Sequence, residues 1–70
     1  MKAYDLKNLE AGLQELAQSI KGQDIVTIAF LEKIDPVTVR RYLAGKVTVP
    51  ALGKAILDRG RNLLLEKNAA

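Results

Sequence analysis

The pair Asp35-Pro36 splits a stretch of apolar periodicity and limits what the middle of this chain can become. Asp accepts hydrogen bonds from the exposed amides of a helix's first turn, and Pro loses nothing at a position whose N–H has no intrahelical partner. A helix therefore starts at Pro36, and Gly45 ends it near Ala44. Within it Val39, Tyr42 and Leu43 recur at steps of three and four and turn inward, while Val37, Thr38, Arg40, Arg41 and Ala44 are left outside. Residues 29 to 46 thus read as the end of one short helix, a tight turn and a second helix with an arginine-bearing open side.

The flanking segments are helical too. Leu6, Leu9, Leu13, Leu16 and Ile20 carry the same periodicity, so a first helix is expected over about 6–20, with Asp5 as its cap. Lys21-Gly22-Gln23-Asp24 interrupts it: Gly22 suits a left-handed closing position and Asp24 suits the cap of a second helix over 25–33. Ile25, Val26, Thr27 and Ile28 are β-branched, yet a lone strand in an otherwise helical chain has no partner to pair with. Lys46 to Val49 form an extended connector, and Pro50 opens a last helix over 50–67. In that helix Leu52, Ala55, Ile56, Leu57, Leu63 and Leu64 keep helical period on both sides of Gly60. One continuous helix is the preferred reading, at a cost of about 1 kcal/mol for the glycine, and a break at Gly60 is the alternative. The expectation is an all-α single domain over 1–70, a compact bundle of four helices, or five if Gly60 divides the last.

Composition closes off several functions. With 70 residues the core is small and there is no room for a second domain. No Cys and no His are present, which removes disulfides, thiolate or imidazole metal ligands, and any catalytic triad built on them. The start at Met1 leads into mixed polar and apolar residues without a signal-peptide pattern, and no run is long enough to span a bilayer, so a cytoplasmic protein without a membrane partner is expected. Charge is uneven: through Pro36 four cations face six anions, and from Val37 onward seven cations face two anions. The basic half begins with the helix at Pro36, where a polyanion would be met.

Residues 24 to 56 resemble the lambda-repressor-like helix-turn-helix family of phage repressors and Cro-type proteins. The likeness rests on Ala29 where two helices cross, Ile34 in the turn, Asp35 as cap, Val39 and Tyr42 on the buried side, and Gly45-Lys46 closing the second helix. Two positions depart from it. Lys33 stands where the family usually has Gly, and a positive φ there costs about 1 kcal/mol, so a differently shaped turn is expected. Ile25 stands where the family often has a phosphate-bracing Gln.

What the resemblance implies is sequence-specific binding of double-stranded DNA by a small transcriptional regulator, with the helix at 36–44 in the major groove. Its base-reading positions fall on Pro36, Val37, Thr38 and Arg41. Arg41 suits a forked contact to guanine, and Val37 and the Thr38 methyl suit thymine methyls. Arg40 lies near the rim and, with Lys46, Thr48 and Lys54, is a candidate for phosphate contacts. Each assignment has a plainer rival: solvated arginines at 40 and 41, and core packing for Tyr42. Adjacent Leu63, Leu64 and Leu65 diverge by about 100° per residue, so at least one faces outward. A homodimer through Leu57, Gly60 and Leu64 of the last helix is therefore expected. The competing function is a helical protein-interaction module, antitoxin-like or adaptor. No catalytic residue, cofactor, metal or small-molecule substrate is expected, because the hydroxyls of Ser19, Thr27, Thr38 and Thr48 lack a nearby base and no glycine-rich phosphate loop is present.

Overall fold

A computed structural model describes residues 6–69 as four helices, α1 (Leu6–Ala17), α2 (Gly22–Glu32), α3 (Pro36–Leu43) and α4 (Pro50–Ala69), with no strand among them. Leu13, Ile28, Val39 and Ile56, one from each helix, are the largest fully buried side chains and form the centre of the core. Each apolar side chain of this size stabilises the fold by about 1.5–3 kcal/mol when buried. Leu9, Leu16, Ile20, Ala29, Tyr42, Leu43 and Leu57 complete the cluster, and the chain folds to a radius of gyration of 11.4 Å. Asp5, the expected cap of α1, lies outside the described residues.

The helix ends differ from the expected ones for identifiable reasons. α1 stops at Ala17 rather than Ile20, because the amides of Gln18, Ser19 and Ile20 turn back onto the carbonyls of Glu15 and Leu16. Ile20 still reaches the core from this turn. α2 starts at Gly22, earlier than the expected 25, with Lys21 extended at its head (φ −105°, ψ 170°). Asp24 caps it from inside the first turn, its carboxylate accepting the Lys21 N–H at 3.0 Å. The reciprocal half of a capping box is absent, since an ammonium has no acceptor, and the Asp24 N–H bonds instead to the Lys21 carbonyl at 3.0 Å. Gly22 therefore belongs to the helix and does not take the left-handed closing role; among the described residues the positive φ values are those of Lys33 and Gly45.

Lys33 corrects a second expectation. It adopts the left-handed conformation (φ 58°, ψ 45°) despite its side chain. The Lys33 N–H bonds to the Phe30 carbonyl at 3.2 Å and the Ile34 N–H to the Ala29 carbonyl at 2.9 Å, the pair of bonds that defines a Schellman closure. Ile34 then packs against the core. These gains offset a conformational cost of about 1 kcal/mol. α3 closes in the same way through Gly45 (φ 93°), with Gly45 N–H to Tyr42 and Lys46 N–H to Arg41, both at 3.0 Å. It ends at Leu43, with Ala44 as its cap residue. Asp35 occupies the position before α3 with extended backbone, but its side chain makes no capping hydrogen bond.

α4 runs unbroken through Gly60, and the reason is packing against α1. A Cβ at Gly60 would fall inside the van der Waals envelope of Leu16, so only glycine admits this approach. Gly60 and Leu57 are buried within the chain. The expected dimer seam of Leu57, Gly60 and Leu64 is therefore corrected: α1 covers its first two members, and Leu64 is half-buried beside Gly12 and Leu16. Leu65 is the outward leucine of the three, 66% exposed. Among the described residues no helix is long and apolar enough to cross a membrane.

Candidate functional site

The open side of α3 is set by what its other side buries. Val39, Tyr42 and Leu43 face the core, so the 100° step per residue turns Val37, Arg40, Arg41 and Ala44 outward. Val37 is 51% exposed and lies one turn from Arg41. Pro36 and Thr38, assigned to the same surface, are half-buried at its flanks. Arg40 and Arg41 splay apart. Arg40 lines a shallow cleft of about 300 Å³ together with Ala17, Ile25, Leu43 and Ala44, and Arg41, about 100° further round the helix, is exposed.

Ion pairing separates the cations of the basic half. Lys54 bridges to Asp58 at 3.1 Å along α4, Arg59 to Glu32 of α2, and Lys67 to Asp24 of α2 at 2.8 Å. Arg61 of α4, and Arg40, Arg41 and Lys46 at α3, are exposed and meet no carboxylate at ion-pair distance among the described residues; the last three form one group. They also follow one another closely, because the closure of α3 bonds the Lys46 amide to the Arg41 carbonyl. Lys54, expected on phosphate, already has a partner. That pair is about half exposed on each side and stabilises the helix by about 0.3–0.5 kcal/mol, so an incoming anion displaces it at small cost.

Tyr42 is a core residue with a polar tip. Its ring is buried, and its hydroxyl accepts the Val49 N–H at 2.9 Å and shares a hydrogen bond of 2.9 Å with the Thr48 hydroxyl. These bonds pin the connector between α3 and α4 and set where Lys46 emerges. Thr48 is consequently exposed but with its hydroxyl engaged inside the chain. Gln14 of α1 fixes the other side of the same corner, donating to the Ala44 carbonyl at 3.2 Å.

The charged group with the most perturbed setting lies away from this surface. Asp24 is 4% exposed, the buried charged residue of the described chain. The Lys21 backbone N–H, and after it the hydrogen bonds from Lys67 at 2.8 and 2.9 Å, hold its carboxyl below the usual carboxylate range against the opposing effect of burial. Sequence reasoning placed Asp24 as a cap and missed Lys67, which lies 43 residues away with no local pattern joining the two. It also passed over Phe30, 81% exposed on α2. Among the described residues no group of His, Cys, Asp or Glu is placed to hold a metal ion.

No family model, curated protein or solved structure matches this chain.

Proposed function

We propose that this chain is a small regulator that binds double-stranded DNA sequence-specifically, with α2, the Lys33 turn and α3 acting as a helix-turn-helix of lambda-repressor-like type. The observation that carries the reading is the exposed set Arg40, Arg41 and Lys46 on α3 and its closing corner, unpaired among the described residues. Cations not engaged inside the chain can meet a polyanion without breaking an internal pair. The left-handed Lys33 adds support, because the turn takes the conformation for which the family uses glycine.

In this reading α3 enters the major groove with its open side toward the bases. Arg41 makes a forked pair of hydrogen bonds to guanine O6 and N7, and Val37 and the Thr38 methyl touch thymine methyls. Pro36 contributes contact without a donor. Lys46, Arg40 and the displaced ammonium of Lys54 meet phosphates and set the register. Regulation follows from occupying an operator, and no catalytic step is involved.

Selection of bound duplexes from a random pool, followed by a salt titration on the winner, tests this. A consensus with at least one guanine-dependent position is expected, and a log–log salt slope of about −3 for three phosphate neutralisations. Failure to enrich any duplex, or a slope near zero, overturns the proposal.

A second reading is favoured by one observation. Phe30 is 81% exposed on a helix face without charge, which suits a helical protein-interaction module. Binding through that face is nearly indifferent to salt, so the same titration separates the two.

A further inference from the structure

The corner between α3 and α4 holds a buried hydroxyl whose proton has one place to go. Tyr42 is 3% exposed, and its Oη accepts the Val49 N–H at 2.9 Å. Among the described residues one further hydrogen-bonding group reaches it, the Thr48 hydroxyl, also at 2.9 Å. If Thr48 were the donor in that contact, the Tyr42 proton would be buried without an acceptor, an arrangement that folded proteins avoid. With Tyr42 donating, the buried hydroxyl is satisfied in both senses, and the exposed Thr48 keeps its own proton for a partner outside the chain. The Val49 N–H polarises the Tyr42 hydroxyl in the same sense, so both bonds run one way, toward the surface.

The donor left at the surface has a charged neighbour. Val47 packs onto the core, and Lys46 and Thr48 on either side of it are exposed. Lys46 meets no carboxylate at ion-pair distance among the described residues. We propose that the Thr48 hydroxyl and the Lys46 ammonium form a donor pair for one phosphodiester oxyanion, and that Tyr42 is the positioning residue that turns the Thr48 proton outward. An oxyanion suits the pair because it only accepts: the ammonium has no lone pair to offer, and Thr48 Oγ already accepts from Tyr42. The identity of the ligand rests on the DNA reading, whereas the direction of the hydrogen-bond chain does not.

Fluorescence anisotropy of the full chain on a mixed-sequence duplex of about two helical turns, repeated across salt, tests the proposal. Thr48→Val is expected to weaken binding at least about fivefold and to leave the salt slope unchanged, because a neutral donor releases no counterion. Lys46→Ala is expected to lower the slope by about 1. Thr48→Ser keeps the donor and is expected to bind within about twofold of wild type. In a Tyr42→Phe background the loss from Thr48→Val is expected to shrink to less than about half on a logarithmic scale, since Thr48 is then no longer oriented. Circular dichroism and urea unfolding establish that the variants are folded, and the two Thr48 variants keep the proposal falsifiable where Tyr42→Phe does not fold. Thr48→Val that binds as wild type does overturns the proposal, as does Thr48→Ser that binds as poorly as Thr48→Val. The full Thr48→Val loss persisting beside Tyr42→Phe overturns it equally, because Tyr42 then orients nothing. A wild type that binds no duplex removes this inference together with the DNA reading. Absence of any selected consensus, with the Thr48 and Lys46 effects intact on mixed sequence, removes sequence specificity and supports the donor pair.

Discussion

α2 and α3 are neighbours closed by the same pair of backbone hydrogen bonds, and they turn opposite surfaces outward. Inward they are alike: Ile28 and Ala29 on one, Val39, Tyr42 and Leu43 on the other, all packed into a shared core. Outward, α2 shows Val26 and Phe30 without a charge, and α3 shows Arg40 and Arg41 without a counter-ion among the described residues. The core dictates which residues of a helix must be apolar and leaves the opposite side unconstrained. The chemistry on that unconstrained side is therefore where the two helices can be assigned different work, a polyanion for α3 and an apolar partner for α2.

The largest effect expected from this contrast is on DNA. Arg41→Ala should cost about 1–3 kcal/mol on the selected duplex and relax one base position, read by fluorescence anisotropy on the consensus and its single-base variants. Phe30→Ser should leave the affinity of one copy for one half-site where it was. Equal losses from both changes would erase the division between the faces. A uniform loss across sequences for Arg41→Ala would make Arg41 a phosphate contact instead of a reader.

Next comes the difference between the two helix starts. Asp24 holds the first turn of α2, whereas Asp35 stands before α3 without a capping bond. Asp24→Ala should destabilise the fold by about 1–2 kcal/mol, and Asp35→Ala by a few tenths, measured by urea unfolding at neutral pH. The contribution of Asp24 is also pH-dependent, with a definite sign. Its carboxyl is held below the usual carboxylate range in the fold, so between the folded and the unfolded pKa the unfolded chain binds more protons and stability rises with pH. The contribution is fully present above the unfolded value of about 3.9 and is lost as pH falls through the lower folded value. Wild type and Asp24→Ala should therefore converge in strong acid. An acid limb identical in both would show that Asp24 is not the group responsible.

The closures offer a matched pair of substitutions. Gly45→Ala forces a side chain into a φ of 93° and against Gln14, and should cost about 1–2 kcal/mol. Lys33→Gly removes the same penalty from α2 and should stabilise the chain by roughly 0.5–1 kcal/mol, less what the added freedom of the unfolded chain takes back. Opposite signs in thermal unfolding bear out the common geometry of the two turns. A loss at Lys33→Gly would mean that the lysine side chain contributes more than its strain.

Much of the architecture was legible from periodicity, and the exceptions share a cause. The starts at Pro36 and Pro50, the end at Gly45 and the inward triplet of α3 are local signals, each decided within one turn of helix. Asp24 misled because a carboxylate can cap from before a helix or from within its first turn, and sequence does not distinguish the two. Lys33 misled because its cost is local while the compensation, burial of Ile34, is tertiary. Leu57 and Gly60 carried the right message, close approach of another helix, with the wrong partner: α1 of the same chain covers them. At the candidate site, the outward Arg40 and Arg41 followed from the buried face. The Lys54–Asp58 pair is an i,i+4 spacing that the sequence does carry and that was passed over, whereas the engagement of Thr48 by Tyr42 and the isolation of Lys46 depend on how the connector folds back, which no spacing encodes.

The smallest effect bears on the α2 face alone. Phe30→Ser removes the bulkiest exposed side chain on that helix, and Ser and Phe have nearly equal helix propensity. A side chain 81% exposed makes few intramolecular contacts, so the stability of the monomer should change by less than about 0.5 kcal/mol. Measured in dilute solution, thermal unfolding of the variant should overlay that of the wild type. A variant already destabilised when dilute would mean that Phe30 is held by its own chain, and α2 would then have no apolar face to set against the cationic one of α3.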